Sequence, residues 1–307
     1  MESMTSIECF VRSAEAGSFS EAARRLGLTS AAVGKNVARL EASLGVRLFQ
    51  RSTRSLTLTE AGERFLAEVS GGLAMIQSAV ANLASADGQP AGTLKISMGT
   101  GFGRTYIVPL LRDFLTRYPA ITPDWHFDNR RVDMIAQGFD AAIGGGFELP
   151  PGVVARTLAP GHAVLVAAPD YFDTFPHLIS VADMAQHDGI FIRSPQTGRI
   201  RPWSLRNRAN EQAPVTLRVR MTMSDPDAAC EAAQSGLGIA LVSMPNALRY
   251  LESGQLIRVL PDWYVDIGTL SLYFPAQKLL PAKTRVFVDY VVEHFRAQNF
   301  AQRYSAI

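Results

Sequence analysis

The stretch "SFSEAARRLGLTSAAVGKNVARLEASLG", Ser18–Gly45, decides how the N-terminal part of this chain folds. Ser18 and Glu21 stand in capping-box spacing, where each side chain can satisfy a free N–H of a first helical turn. The helix they open is short and closes at Gly27. Thr29 then caps another helix, whose apolar residues Ala32, Val33, Val37, Leu40 and Leu44 recur at helical spacing, and Gly45 can end it. Two helices joined by the few residues "GLT" form a helix-turn-helix. Gly34 falls near the middle of the latter helix, where a glycine costs about 1 kcal/mol relative to alanine. Upstream, "MTSIECFVRSAEAG" places Met4, Ile7, Phe10, Val11 and Ala14 at helical spacing, and Gly17 ends that helix.

Downstream the period changes. In "VRLFQRSTRSLTLT" Val46 and Leu48, then Leu56 and Leu58, alternate with polar residues, which predicts two short strands. Between them "QRSTRS" is a basic turn, the layout of a wing. Arginine at a wing tip suits a narrow minor groove, where negative potential is concentrated. From Ser18 to Leu58 there are seven basic residues (Arg24, Arg25, Lys35, Arg39, Arg47, Arg51, Arg54) and two acids, Glu21 and Glu41. The whole 307-residue chain carries only +2, so the excess is local. Such a cluster is the footprint of a nucleic-acid contact or of a solvated surface, and charge alone leaves both readings open.

Thr59 caps a long helix with Glu60 in its first turn. Its large apolar residues are Leu66, Val69, Leu73, Ile76, Val80 and Leu83, in steps of three and four. That is an a/d heptad seam, the pattern of a coiled-coil pair; the alternative is an amphipathic helix packed on its own domain. Small residues around the seam favour close helix–helix contact and hence dimerisation. "SADGQPAG", Ser85–Gly92, breaks the helix and reads as a linker.

From Thr93 onward strands and helices alternate. "LKISM", "TPDWHFD", "FDAAIGG", "AVLVAAP", "GIFIR", "VTLRVRM", "IALVS" and "TLSLYF" read as strands. "TYIVPLLRDFLTRY", "VDMIAQG", "PDAACEAAQSGLG" and "TRVFVDYVVEHFRAQ" read as helices. The pattern predicts α/β sheets covered by helices, as one sheet or two lobes with a small-molecule cleft.

Composition bounds the function classes. Apolar residues make up 47% and charged residues 19%, as in soluble globular proteins. No run of about 18 apolar residues is present and the first residues show no basic-then-apolar leader, so neither a membrane span nor secretion is expected. Two distant cysteines, Cys9 and Cys230, fit a reducing cytoplasm and buried packing. The five histidines lack metal-ligand spacing, so no metal and no cofactor is expected. No catalytic constellation stands out. "GTGFGR", Gly99–Arg104, invites comparison with a dinucleotide fingerprint, but Arg104 stands where the third glycine belongs.

These residues resemble a known family. "FVRSAEAGSFSEAARRLGLTSAAVGKNVARLEASLGVRLFQRSTRSLTLTEAG", Phe10–Gly62, closely resembles the DNA-binding domain of LysR-type transcriptional regulators. "GTLKISMGTGFGRTYIVPLLRDFLTRYP", "GFDAAIGGG", "SGLGIALVS" and "GQLIRVL" look like the family's effector-binding domain, in family order. The resemblance implies a winged helix-turn-helix over residues 1–58, a linker and dimerisation helix over 59–87 and a hinge linker over 88–92. It further implies a two-lobed, periplasmic-binding-protein-like effector domain over 93–300. Lobe 1 would be residues 93–162 and 268–300, lobe 2 residues 163–267, with crossovers near His162 and Ile267.

Carried residue by residue, the family's base-reading positions fall on Ser30, Ala31, Gly34 and Lys35. Gly34 and Ser30 depart from the polar residue and the glutamine usual there, which bears on base preference. Phosphate contacts would come from Thr29, Lys35, Asn36 and Arg39, and wing contacts from Arg51, Thr53 and Arg54. The effector would lie against Thr100, Gly101 and Phe102, with Phe147 closing one side. Lobe 2 would offer Arg193, Ser194, Thr197, Met223 and Ser224. A small, anionic co-inducer is implied, along with an interrupted palindromic operator on double-stranded DNA, self-assembly as dimer or tetramer, and RNA polymerase as a further partner. The rival from another class is a solute-binding or enzymatic α/β protein with an N-terminal basic accessory unit. The lack of a leader and of an acid–base or nucleophile set speaks against it.

Overall fold

The computed structural model describes residues 3–51, 56–84, 89–149, 151–276 and 280–307. The chain clusters into two compact units, residues 1–88 with 133–139, and residues 89–132 with 140–307.

In the first unit α1 (Met4–Ala16), α2 (Phe19–Leu26) and α3 (Ser30–Leu44) enclose a core of Cys9, Phe10, Ala22, Val33, Val37 and Leu40. Each helix stops where a glycine takes the left-handed conformation, at Gly17, Gly27 and Gly45, with φ of +61°, +65° and +68°. Ser18 caps α2 by accepting from the Glu21 N–H. The reciprocal half of the capping box gives way: Glu21 Oε1 turns to Arg24 and Arg25, at 2.8 and 3.2 Å. Thr29 Oγ1 caps α3 by accepting from Ala32 N–H at 3.2 Å.

β1 (Phe49–Arg51) pairs antiparallel with β2 (Leu56–Leu58), Phe49 opposite Leu58. The first wing strand therefore starts later than the Val46/Leu48 alternation predicts. The cause is Glu41, buried at the end of α3, whose Oε1 takes the Leu48 and Phe49 N–H groups at 2.9 and 3.1 Å. Val46 is left exposed. Thr53 and Arg54 lie outside the described residues, as do the side chains of Arg51, Val80 and Leu83.

α4 (Glu60–Ala84) opens at Thr59, whose Oγ1 accepts from Gly62 N–H at 3.0 Å and donates to the Arg47 carbonyl at 2.7 Å. Gly62 is required by contact: a Cβ there would come within 2.1 Å of the Leu48 carbonyl oxygen. The heptad seam divides. Leu66, Val69 and Leu73 pack with Phe65 onto this chain's own winged-helix core, and Leu73 is only 5% exposed, whereas Ile76 is 46% exposed. Within this chain Leu73 is thus buried, while Leu66 and Val69 stay half-buried. The helix "VDMIAQG" predicts is a run of turns, closed by Gly138 at φ +66° after Asp133 Oδ1 accepts from Ala136 N–H.

The second unit is built, among the described residues, on one nine-stranded mixed sheet. β3 (Gly92–Met98) leads into an irregular helical run. This is α5 (Thr100–Phe102), a π turn over Gly103–Ile107, a 3₁₀ turn over Val108–Leu110 and α6 (Leu111–Arg117). β4 (Ile121–Phe127) and β5 (Ala141–Gly145) flank β3 in parallel. β6 (Val153–Ala167) is a long strand, begun well before the "AVLVAAP" the sequence marks. Then follow α7 (Tyr171–Thr174), a 3₁₀ turn over Val181–Gln186, β7 (Asp188–Ile192), a hairpin of β8 (Ser204–Arg206) and β9 (Gln212–Pro214), and β10 (Arg218–Met223). α8 (Pro226–Gln234), β11 (Ile239–Ser243), α9 (Met244–Glu252), β12 (Ile257–Val259), β13 (Val265–Pro275), α10 (Ala282–Ala297) and α11 (Phe300–Arg303) complete it.

The strand order is β10-β7-β11-β6-β13-β5-β3-β4, with β12 as the ninth strand paired antiparallel to β6 off this path. Parallel strands make each end, β7 with β10 and β11 on one side, β3 with β4 and β5 on the other. The antiparallel pair β6 and β13 runs through the middle and joins the two lobes. His162 and Ile267 lie inside these strands. Their register breaks between Asp266 and Thr269, where Gly268 takes φ +87°.

Candidate nucleic-acid interface and effector cleft

One face of α3 is committed to the core: Val33, Val37 and Leu40 are fully buried. The opposite face carries Ser30, Ala31, Lys35, Ala38 and Arg39 exposed, with Gly34 half-exposed among them. Positions i, i+1, i+4, i+5, i+8 and i+9 share one side of a 3.6-residue helix, so these six form a single stripe. Ala38 belongs to it although the motif alone does not single it out. Among the described residues neither Lys35 nor Arg39 has an ion-pair partner, whereas Arg24, Arg25 and Arg47 are held by Glu21 and Glu41. Lys35 and Arg39 are therefore the cations of this face open to phosphate.

Thr29 sits at the start of the stripe with its oxygen spent on the cap, its hydroxyl hydrogen still available. Asn36 is half-buried, with a side-chain hydrogen bond to the Cys9 thiol of α1. Burial pushes the Cys9 thiol up, against that hydrogen bond. Cys230 is buried in the second unit and its thiol is pushed up to about 12 by desolvation, so neither cysteine offers a thiolate near neutral pH. A Cβ built on Gly34 meets nothing within 4 Å. Among the described residues no close approach demands the glycine.

In the second unit the expected effector residues separate. Thr100 and Gly101 stand at the junction of the lobes. Thr100 N–H donates to Asn129 Oδ1 at 3.1 Å, and Asn129 Nδ2 donates across to Asp225 Oδ2 at 3.0 Å. Phe102 is partly buried, and its ring packs against Tyr106 and Phe295, centroids 5.3 and 6.0 Å apart, at the edge of the lobe 1 core. Phe147 packs edge-on against Tyr273 at 5.5 Å, with the Arg131 guanidinium 4.5 Å above its ring. Arg193 and Met223 come together through the Arg193 N–H to Met223 carbonyl bond of 2.8 Å. Ser194 Oγ accepts from Thr197 N–H in the turn that follows. Arg193, Thr197 and Ser224 are exposed, and Arg193 has no ion-pair partner among the described residues.

Several residues at the lobe junction escaped sequence reading: Asn129, Asp225, Asp227, Asn246 and Tyr106. Asp225 had a signal, since "SDPD" is a helix start with proline at the first position, and Asp225 Oδ1 caps α8 through the Asp227 and Ala228 N–H groups. Asp227 lies in the same helix start, whereas Asn129, Asn246 and Tyr106 lie on separate segments that only folding brings together.

A helix-turn-helix with one exposed polar and basic stripe, followed in the chain by a two-lobed α/β unit, defines a DNA-binding regulator with an effector-binding domain. Residues 4–63 match the model of the bacterial regulatory helix-turn-helix proteins of the lysR family, and residues 87–296 match the LysR substrate binding domain. The chain belongs to the LysR family of transcriptional regulators. It is 30% identical over 289 residues to the transcriptional regulator PgrR of Escherichia coli K12, covering 94% of this chain and 96% of that one. It is 31% identical over 299 residues to a transcriptional repressor of Pseudomonas aeruginosa, covering 97% and 94%. The full-length structure of the Vibrio cholerae virulence activator AphB superposes with a TM-score of 0.62 at 26% identity, covering 95% of this chain and 99% of that one. The enzymatic and solute-binding rivals fall with these matches. Among the described residues no helix is long and apolar enough to cross a membrane.

Proposed function

We propose that this regulator works in the cytoplasm as a dimer or tetramer on an interrupted palindromic operator. Two copies of α3 would enter successive major grooves, and the wing residues around Arg51, Thr53 and Arg54 would follow the backbone or minor groove. The observation that carries the reading is the exposed stripe of α3, with Lys35 and Arg39 unpaired opposite a fully buried face. RNA polymerase is a candidate partner of the DNA-bound form. The exposed Ile76, with Val80 and Leu83 after it in the heptad, supports self-association through the C-terminal half of α4.

The two-lobed unit senses a small anionic effector and needs no further cofactor on this reading. The support is local: Thr100 and Gly101 lie where the lobes meet, and Arg193 offers an exposed cation on lobe 2. The effector would bias one lobe arrangement and so change spacing or bend on DNA. Gel shifts with the DNA upstream of its own gene test the first half. Lys35→Ala should weaken binding and lower the slope of log affinity against log salt by about one. An unchanged slope for both Lys35→Ala and Arg39→Ala overturns the assignment of the α3 stripe.

A further inference from the structure

Asp227 stands in the first turn of α8, on lobe 2, but its carboxylate is not spent on that helix. Oδ1 accepts from Asn246 Nδ2 at 3.1 Å, and Asn246 is itself held by the Ser243 hydroxyl at 2.6 Å. Oδ2 lies against the backbone of Gly101 on lobe 1: a Cβ built there would come within 1.8 Å of it. Glycine at 101 is what lets the carboxylate in. Two further bonds tie the lobes at the same place, Asn129 to Asp225 and the Tyr106 hydroxyl to the Pro245 carbonyl at 2.7 Å.

The two neighbouring acids are not held alike. Asp225 accepts two backbone N–H groups and the Asn129 amide, whereas among the described residues the side chain of Asp227 accepts the Asn246 amide alone. Neither has an ion-pair partner among the described residues, and both are half-buried. With one donor to its side chain against three for Asp225, and the Arg249 charge acting on it only from beyond ion-pair distance, Asp227 is the weaker-held of the two. Asp227 is therefore the one of these two acids that leaves its place more readily.

We propose that Asp227 is a tethered carboxylate filling the effector seat at Thr100–Gly101, and that a carboxylate effector binds by displacing it. The inference rests on the reading of Thr100–Gly101 as the effector seat. The ligand class follows from what the seat already holds: a carboxylate, accepted by the Asn246 amide and set on a residue without a side chain. Displacement removes a contact between lobe 2 and lobe 1, so ligand binding and lobe opening become one event. A competitor built into the protein lowers the apparent affinity by the fraction of time the seat is free.

The test uses the full chain, with calorimetric or thermal-shift titration of acetate, benzoate, salicylate, succinate and citrate, and putrescine as a cationic control at matched ionic strength. Asp227→Ala vacates the seat. Asp227→Asn keeps the shape and the acceptor toward Asn246 while removing the charge. The expected result is at least one carboxylate bound about tenfold more tightly by Asp227→Ala than by the natural protein, with Asp227→Asn between them. Equal affinities in all three proteins, no carboxylate bound by any of them, or a putrescine response that the variants lose would each overturn the proposal. Thr100→Val separates this from the reading beneath it. If that change abolishes carboxylate binding while the Asp227 variants leave it unaltered, the seat stands and the competitor falls. If carboxylate binding survives both changes unaltered, the seat itself is elsewhere.

Discussion

The Glu41 carboxylate accepts the Leu48 N–H at 2.9 Å from a position only 4% exposed, tying the end of α3 to the start of the wing. The same oxygen accepts Phe49 N–H, and Oε2 accepts from Arg47 Nη1 at 3.2 Å. Glu41→Ala leaves two buried donors without their partner, at about 1–3 kcal/mol each. Urea unfolding of the N-terminal unit should show a loss of that order. Glu41→Gln, which keeps an acceptor, should lose clearly less, and equal losses for the two variants would count against the bracing role.

Gly34 separates folding from recognition. No atom among the described residues obstructs a side chain there, and its backbone is ordinary helix. Gly34→Ala should therefore stabilise the fold by about 1 kcal/mol, the usual helix-interior difference. Gly34→Ser puts a hydroxyl on the exposed stripe. Tighter operator binding with a changed site preference would mean the natural protein forgoes a base contact at this position. Weaker binding would mean the groove approaches the backbone there. Gel shifts over a randomised operator library read either result.

Two residues of one heptad seam should behave in opposite ways. Leu73 is buried in the winged-helix core, so Leu73→Ala should cost about 2–5 kcal/mol of fold stability. Ile76 is exposed, and Ile76→Glu should leave the melting temperature of the N-terminal unit nearly unchanged while weakening self-association in sedimentation runs. Unaltered association would assign the oligomer contact to another surface.

His162 makes the second unit acid-sensitive. It is buried, its Nδ1 accepts from Ala306 N–H at 2.9 Å, and burial holds its pKa below the ordinary histidine value of 6.5. The folded state keeps it neutral while the unfolded state takes up a proton. Its contribution is therefore complete above pH 6.5 and is lost as pH falls below that toward the depressed folded value. Thermal melts between pH 7.5 and about 5 should show a falling midpoint, flattened in His162→Asn, which retains an acceptor but does not titrate. An unaltered slope would place the sensitivity on His187, also buried with its pKa lowered by desolvation.

The winged helix was legible from residues alone because every signal that builds it is local. Ser18 and Thr29 cap, Gly17, Gly27 and Gly45 stop, and Val33, Val37 and Leu40 repeat at the helical period, all within reach of their neighbours in sequence. Ser30, Ala31, Gly34, Lys35 and Arg39 came from the family resemblance, and the structure shows them on one face of α3. That Asn36 is half-buried beside Cys9 was not legible, because Cys9 belongs to a different helix and periodicity does not tell a half-buried amide from an exposed one. The heptad seam was visible, but whether Leu73 meets its own core or another chain depends on where α4, through its Phe65, packs on Phe10, a matter of packing.

In the regulatory unit the sequence by itself determined the alternation of strands and helices. Tertiary structure alone decided that Phe102 turns into lobe 1, that Asn129 reaches Asp225, and that Asp227 rests on Gly101. These partners lie roughly one to two hundred positions apart in the chain. Caps and periods report the neighbourhood a residue carries with it through folding, whereas a carboxylate's partner is set by which distant backbone the closed chain brings against it.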